Sequence, residues 1–184
     1  MKKTILILLV ALSGVISSQA QKYITKNGFI KFYSDAPLEK IEAFNRQVNS
    51  AIDISSGDFV FKVLMKSFVF QKALMQEHFN ENYVESDKYP ESMFIGKITN
   101  IKDINLTKDG VYNADVSGKL TIHGETKEIQ AKGTIEVKQD KLIAKSKFNL
   151  TVADYKIKIP NTVVNNIGKT VEVTVDLTLD KFSK

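Results

Sequence analysis

Two alternating runs of residues meet at Gly124 and constrain the fold more than any other stretch. Apolar or small side chains alternate with polar ones over 114–123, and the same pattern returns over 126–137. A period of two puts neighbouring side chains on opposite faces of a strand, and one wet face is typical of an antiparallel sheet. Because glycine takes the positive φ of a tight hairpin loop, the sequence predicts a β-hairpin over 112–137.

The apolar face of this hairpin contains several very small residues. Its members are Ala114, Val116, Gly118, Leu120, Ile122, Ile129, Ala131, Gly133, Ile135 and Val137. The two alanines and two glycines leave space that leucines would otherwise fill. Two explanations stay open from the residues alone: the glycines relieve curvature or mark a bulge, or the interior of the fold is hollow.

Further alternating segments extend this pattern along the chain. They lie around 28–33, 44–54, 59–66, 94–104, 142–152 and 170–180. Leu74, Met75, His78 and Phe79 recur instead at helical spacing. About eight strands and one short helix predict an all-β fold, an extended eight-stranded antiparallel barrel with the helix near an open end. An open two-sheet sandwich is the alternative.

The first twenty residues have the composition of an export signal. Lys2 and Lys3 precede an apolar run over 5–12, and Ser18-Gln19-Ala20 offers small residues for cleavage. We expect a cleavable signal peptide over 1–20 and one domain over 21–184; an uncleaved anchor is the alternative. Cleavage would lower the net charge from +5 to 24 minus 21, or +3. Without a basic run, no nucleic-acid partner is expected.

Few residues of this chain suggest catalysis or metal binding. There is no cysteine, and His78 and His123 belong to no metal-binding motif. We expect no enzyme activity, cofactor or metal, since nucleophile elbows and phosphate-binding loops are also missing from the sequence. His123 is expected to be a solvated turn residue, whereas His78 has a structural role or contacts a ligand head group.

Two stretches of the chain resemble the YceI-like family. VSGKLTIHGETKEI, residues 116–129, is similar to the hairpin of that family, and 78–94 resembles its long loop, with Tyr89-Pro90 before Phe94. The resemblance implies a lipocalin-like barrel, export to the bacterial periplasm, a link to stress responses and binding of an isoprenoid, quinone or other lipid. Many members have an arginine where Ala153 precedes Asp154 and another before Tyr89, so the exact ligand stays open.

With this resemblance, a hollow interior is the favoured explanation of the small residues. The expected lumen wall comprises Phe61, Phe68, Phe79, Phe94, Ile98, Val116, Gly118, Leu120, Ala131, Ile135 and Phe148, with His78 as a head-group contact. The leading hypothesis is a non-enzymatic periplasmic carrier of an isoprenoid or other long apolar chain. The alternative is a scaffold that binds a protein or envelope polymer through its outer faces, and homodimerisation through an exposed strand stays open.

Overall fold

Nine strands form one antiparallel sheet in the computed structural model, which describes residues 21–182. They are β1 (Lys22–Asp35), β2 (Lys40–Asp53), β3 (Asp58–Leu64), β4 (Val69–Phe70), β5 (Glu91–Ile98), β6 (Gly110–Ile122), β7 (Glu125–Lys138), β8 (Lys141–Thr151) and β9 (Thr170–Lys181). The expected signal peptide, 1–20, lies outside the described residues. Helical structure is limited to α1 (Ala73–His78), a π-helical turn (Phe79–Tyr83) and short 3-10 turns at Met65–Ser67, Ile101–Asp103, Val152–Tyr155 and Asn161–Val163.

Pairing of the first two strands closes the sheet. The strand order is β1-β9-β8-β7-β6-β5-β3-β2, and β2 pairs back with β1, so eight strands form a barrel. The two residues of β4 add to β2 only opposite Ala43 and Phe44. Closure pairs the sheet edges that an open sandwich would leave free. The predicted eight-stranded antiparallel barrel is therefore confirmed, and the sandwich alternative is wrong.

The hairpin that dominates the sequence is the longest continuous ladder of the barrel. It pairs β6 with β7 from Gly110↔Val137 to Ile122↔Glu125. The two-residue loop consists of His123 and Gly124, with φ values of 51° and 75°. Two consecutive positive φ angles define the turn type whose twist matches that of the flanking strands. The predicted hairpin is confirmed, including the alternation that turns Ala114 and Leu120 inward.

The two ends of the barrel are built differently. At one end, which we call the closed end, short turns join β2 to β3 and β7 to β8, and the side chains of Tyr23, Leu142 and Leu179 are buried beneath them. At the other end, which we call the mouth, lie α1, the π-helical turn, the His123-Gly124 loop and the long connection over 152–169. The predicted short helix near one end of the barrel is confirmed.

A bulge in β2 changes which of its side chains face the barrel interior. Phe44, Val48 and Ile52 share parity, but the register of β2 against β1 shifts between Asn45 and Val48. Asn45 is therefore buried with Val48 and Ile52. Phe44 faces outward, where the Arg46 guanidinium lies 5.4 Å from its ring centroid. The segment forms a strand, as expected, and the parity of its inward side chains changes at the bulge.

Strands β7 and β8 are hydrogen-bonded to each other over only about half of their length. Their ladder is confined to Gly133–Lys138 opposite Lys141–Ser146. Towards the mouth, β7 continues to pair with β6, and β8 with β9, without pairing to each other. The barrel wall therefore splits between these two strands near the mouth.

Candidate ligand-binding cavity

A cavity of about 420 Å³ occupies the barrel interior, and Glu39, Met75 and His78 line it at the mouth. Its wall draws side chains from every long strand, from α1 and from the 152–169 connection. Of the side chains expected to line a lumen, the cavity wall contains Phe61, Phe68, Phe79, Phe94, Ile98, Val116, Leu120, Ala131, Ile135 and Phe148, and also His78. The volume lies within the range of small-molecule sites.

Gly118 is placed differently from the expectation. It faces Gly96 across the β5–β6 ladder, and both belong to the inward parity. A side-chain carbon built on Gly118 would lie 2.5 Å from the carbonyl oxygen of Ile95 and 2.9 Å from Cζ of Phe94. The space above the glycine pair is therefore occupied by the Phe94 ring. Gly118 leaves room for the Phe94 ring, and that ring borders the cavity in its place.

Four phenylalanine rings form a cluster beneath α1 at the mouth. Phe32 of β1 lies 5.4–5.8 Å, centroid to centroid, from the rings of Phe68, Phe70 and Phe79. The rings of Phe70 and Phe79 are 5.1 Å apart. Such spacings are those of favourable aromatic pairs. This cluster anchors the π-helical turn to the barrel and makes the upper wall aromatic.

Two buried polar side chains of the wall, both towards the mouth, are bonded within the protein. The Ser92 hydroxyl donates to the sulfur of Met65 at 3.0 Å, and Ser34 Oγ accepts from the backbone N–H of Gly168 at 2.8 Å. Polar side chains nearer the mouth include Glu39, Tyr83 and Asn166. Burial raises the pKa of the Tyr83 phenol. Most of the wall is apolar, and Glu39, Tyr83 and Asn166 offer polar contacts to a ligand near the mouth.

The split between β7 and β8 is covered by residues 152–159, which we call the covering segment. Its side chains Val152, Ile157 and Ile159 line the cavity, together with Ile129 of β7 and Leu150 of β8. Its 3-10 turn packs against β7. The long connection is therefore part of the cavity wall, although it contains no strand.

Two polar contacts fasten the covering segment to the β6–β7 hairpin. Lys156 Nζ lies 2.6 Å from Oε1 of Glu125, and the backbone carbonyl of Tyr155 lies 3.1 Å from Nδ1 of His123. The hydrogen bond and charge of Lys156 lower the pKa of the Glu125 carboxyl, and the same bond raises the pKa of the Lys156 ammonium. The covering segment is thus held by one ion pair and one hydrogen bond.

His123 is not the solvated turn residue that its polar parity suggested. Only 11% of its side chain is exposed, and its Nε2 lies 2.6 Å from Oε2 of Glu85. The ring of Tyr89 lies 4.6 Å from that of His123, centroid to centroid, and covers Gly124 so closely that a β-carbon there would be 2.6 Å from Tyr89 Cε1. The hairpin tip and the Tyr89-Pro90 loop, which the sequence linked only by family resemblance, are in direct contact.

Clusters of metal-binding side chains and membrane-spanning helices were both sought within residues 21–182. That part of the chain holds no group of three or more histidine, cysteine or acidic side chains suited to a metal ion. It also contains no helix with the length and apolar character needed to cross a membrane.

Comparison with known proteins gives one family and a set of similar folds. The family model described as the YceI-like domain matches residues 25–179. No curated protein matches the chain significantly in sequence. A polyisoprenoid-binding domain from Saccharophagus degradans, implicated in plant cell wall breakdown, superposes with a TM-score of 0.76 at 14% identity. That alignment covers 88% of this chain and 98% of the other.

Two further solved structures share the barrel. BcnA from Burkholderia cenocepacia aligns with a TM-score of 0.65 and 12% identity over 82% of this chain and 95% of its own. The YCEI protein of Campylobacter jejuni aligns with a TM-score of 0.59 and 13% identity over 77% of this chain and 85% of its own. At such low identity these similarities establish the architecture.

Proposed function

The chain belongs to the YceI-like family, and we propose that it is an exported, non-enzymatic lipid-binding protein. In this proposal, the barrel interior holds an isoprenoid, quinone-like or similarly long apolar chain. The alkyl chain occupies the deep cavity, and the head group lies near the mouth. The name of the Saccharophagus degradans neighbour, a polyisoprenoid-binding domain, supports this ligand class.

The observation that carries the proposal is the cavity of about 420 Å³ with an almost wholly apolar wall. Burial of apolar surface contributes about 2.5 kcal/mol for every 100 Å² removed from water. An alkyl chain therefore gains affinity along its length without a polar contact. A polar ligand would gain little, because such a wall offers it few hydrogen-bonding groups.

The same geometry suggests how the ligand is oriented. Phe32, Phe68 and Phe79 surround the upper cavity, where an unsaturated chain or a quinone ring can stack on aromatic faces. His78 is exposed on α1 beside the mouth, and Tyr83 and Asn166 border the same opening. We assign these three side chains to the head group and the deeper phenylalanines to the chain.

Native mass spectrometry of protein recovered from the periplasm of an expressing bacterium tests the proposal. We expect a co-purifying apolar compound of several hundred daltons, about the mass that a cavity of this class accommodates. N-terminal sequencing of the same material should begin at Gln21 if residues 1–20 are an export signal. A clean protein mass, together with no uptake of a fluorescent prenol, would instead favour the scaffold hypothesis.

A matched pair of variants separates cavity binding from adhesion to the outer surface. Ala131 lines the cavity, whereas Val111 is exposed on the outer face of β6. We expect Ala131→Phe to reduce prenol uptake strongly while the far-ultraviolet spectrum of the sheet is retained. Val111→Phe should leave uptake unchanged. Equal uptake by both variants would show that the probe does not occupy the cavity.

A further inference from the structure

Three exposed apolar side chains surround the mouth of the cavity. Leu38 in the β1–β2 turn is 72% exposed, Leu74 of α1 is 60% exposed and Val164 of the 152–169 connection is 36% exposed. They come from three separate segments, all at the same end of the barrel. We call them the mouth triad.

The triad follows the rim of the cavity closely. Each member is the chain neighbour of a cavity-lining residue: Glu39 follows Leu38, Met75 follows Leu74, and Val163 precedes Val164. Backbone contacts hold the segments together, since the N–H of Leu38 donates to the carbonyl of Asn165 at 2.9 Å. The ion pair between Lys72 and Glu39, 3.0 Å long, ties α1 to the same turn. The apolar lumen therefore opens into an apolar rim.

We propose that the mouth triad inserts into the surface of a lipid bilayer, so that the cavity opens directly onto the membrane. A long apolar chain is poorly soluble in water, and a mouth seated in the headgroup region lets it pass between bilayer and lumen without crossing solvent. The inference rests on the proposed lipid binding for its purpose, but it concerns the outer rim and can be tested without a ligand.

Charge around Val164 favours a membrane that contains anionic lipid. Residues 156–169 include three lysines and no acidic residue. Lys156 is paired with Glu125, whereas Lys158 and Lys169 are exposed and make no ion pair within residues 21–182. The acids of the neighbouring turn, Asp35 and Glu39, face lysine partners. We therefore expect this side of the rim to approach anionic headgroups.

Flotation with mixed phosphatidylcholine and phosphatidylglycerol vesicles tests the docking surface. The variant Leu38→Ser/Leu74→Ser/Val164→Ser removes the mouth triad. The matched control, Val60→Ser/Ile95→Ser/Val111→Ser, removes three exposed apolar side chains from the outer wall. We expect partitioning to fall about tenfold or more in the triad variant and to stay unchanged in the control. Equal loss in both, or failure of the unmodified protein to bind vesicles, would overturn the proposal.

The chain has no tryptophan, so a single introduced one reports on insertion. Fluorescence of Leu38→Trp should shift to the blue on addition of vesicles, and that of Ile95→Trp should not. Replacing Lys158 and Lys169 with glutamine should weaken binding to the anionic vesicles about fivefold for each lysine. The control pair is Lys108→Gln and Lys138→Gln at the closed end. An unshifted Leu38→Trp spectrum, or equal effects of both lysine pairs, would contradict docking by the mouth.

Two measurements keep this inference separate from the proposed function. Uptake of a short, water-soluble prenol without vesicles reports on the cavity alone. Uptake without vesicle binding would overturn the docking surface only, and vesicle binding without uptake would overturn the carrier function only. Sedimentation equilibrium measures whether a second copy of the chain, instead of a membrane, binds the mouth triad. A dimer that the triad variant abolishes would replace the membrane as the partner of this rim.

Discussion

The imidazole of His123 and the carboxylate of Glu85 are in direct contact, with 2.6 Å between Nε2 and Oε2. The other ring nitrogen, Nδ1, faces the backbone carbonyl of Tyr155 at 3.1 Å. The Glu85 carboxylate and the Tyr155 carbonyl both accept hydrogen bonds, so a ring nitrogen that carries a proton can donate to the partner it faces. One side chain at the hairpin tip thereby joins the loop before β5 to the covering segment.

Replacing His123 should release both segments without harming the turn. Asparagine tolerates the positive φ of this position and is a preferred residue before glycine in such a loop, but it is too short to keep both contacts. We expect His123→Asn to lower the free energy of unfolding by about 1–3 kcal/mol, because it leaves partly buried acceptors unbonded. Urea denaturation measures this change in the free energy of unfolding. His78→Asn, on exposed α1, is the matched control, and equal small losses would show that the contacts at His123 contribute nothing.

A second stability prediction concerns Asn45, which is fully buried beside the β2 bulge. Its Nδ2 donates to the carbonyl of Leu64 at 2.9 Å, and its Oδ1 accepts from the N–H of Gln47 at 2.7 Å. Asn45→Ala should cost about 1–3 kcal/mol, since two backbone groups lose their partner. Asn49→Ala, in the same strand and only partly buried, serves as the control in thermal unfolding. A loss at Asn49 as large as that at Asn45 would contradict this role.

The barrel could be predicted from the sequence because period-two alternation sets strand faces wherever pairing is regular. Alternation failed to predict the inward face where the register changes: Asn45-Arg46-Gln47 are three polar residues in a row, and nothing in them shows which one turns inward. The expected strand over 94–104 also differs, because pairing starts at Glu91 and stops at Ile98. Both errors arise from long-range pairing, which local propensity does not encode.

The cavity wall was predictable only in part, for a related reason. Inward phenylalanines such as Phe61 and Phe148 follow from strand parity. Ile157 and Ile159 lie in an irregular connection, and their isoleucine-lysine alternation is the one signal that could have placed them in the wall. The burial of His123 depends on Glu85 and Tyr155, which are distant in sequence. Whether the wall residues contact a ligand remains a prediction.

The ion pair between Glu125 and Lys156 should make the covering segment sensitive to acid. Its bond to Lys156 lowers the pKa of Glu125 in the folded protein. The stabilisation is therefore present above the ordinary carboxyl pKa of about 4.5 and is lost as the pH falls through the lower folded value. Hydrogen exchange of amides 152–159, corrected for intrinsic rates, should accelerate over that range.

Lys156→Gln is the variant that tests the cause of this acid effect. It should show the faster exchange of amides 152–159 already at neutral pH and little further change in acid. Lys97→Gln, which removes a comparable surface pair with Asp58 at the closed end, should leave the covering segment unaffected. Acid acceleration of equal size in the unmodified protein and in Lys156→Gln would assign the effect to other carboxyls.

A substitution at Gly118 tests whether this small residue makes room for a neighbouring side chain or borders the cavity. Because a β-carbon there would meet the backbone of the facing strand and the Phe94 ring, we expect Gly118→Ala to destabilise the protein by about 1–3 kcal/mol through overpacking. Gly110→Ala is the control, since its added carbon finds no atom nearer than 3.5 Å. Denaturant midpoints of the two variants give the comparison. A neutral Gly118→Ala with reduced prenol uptake would instead place this glycine on the cavity wall, because its methyl group would then occupy space meant for the ligand.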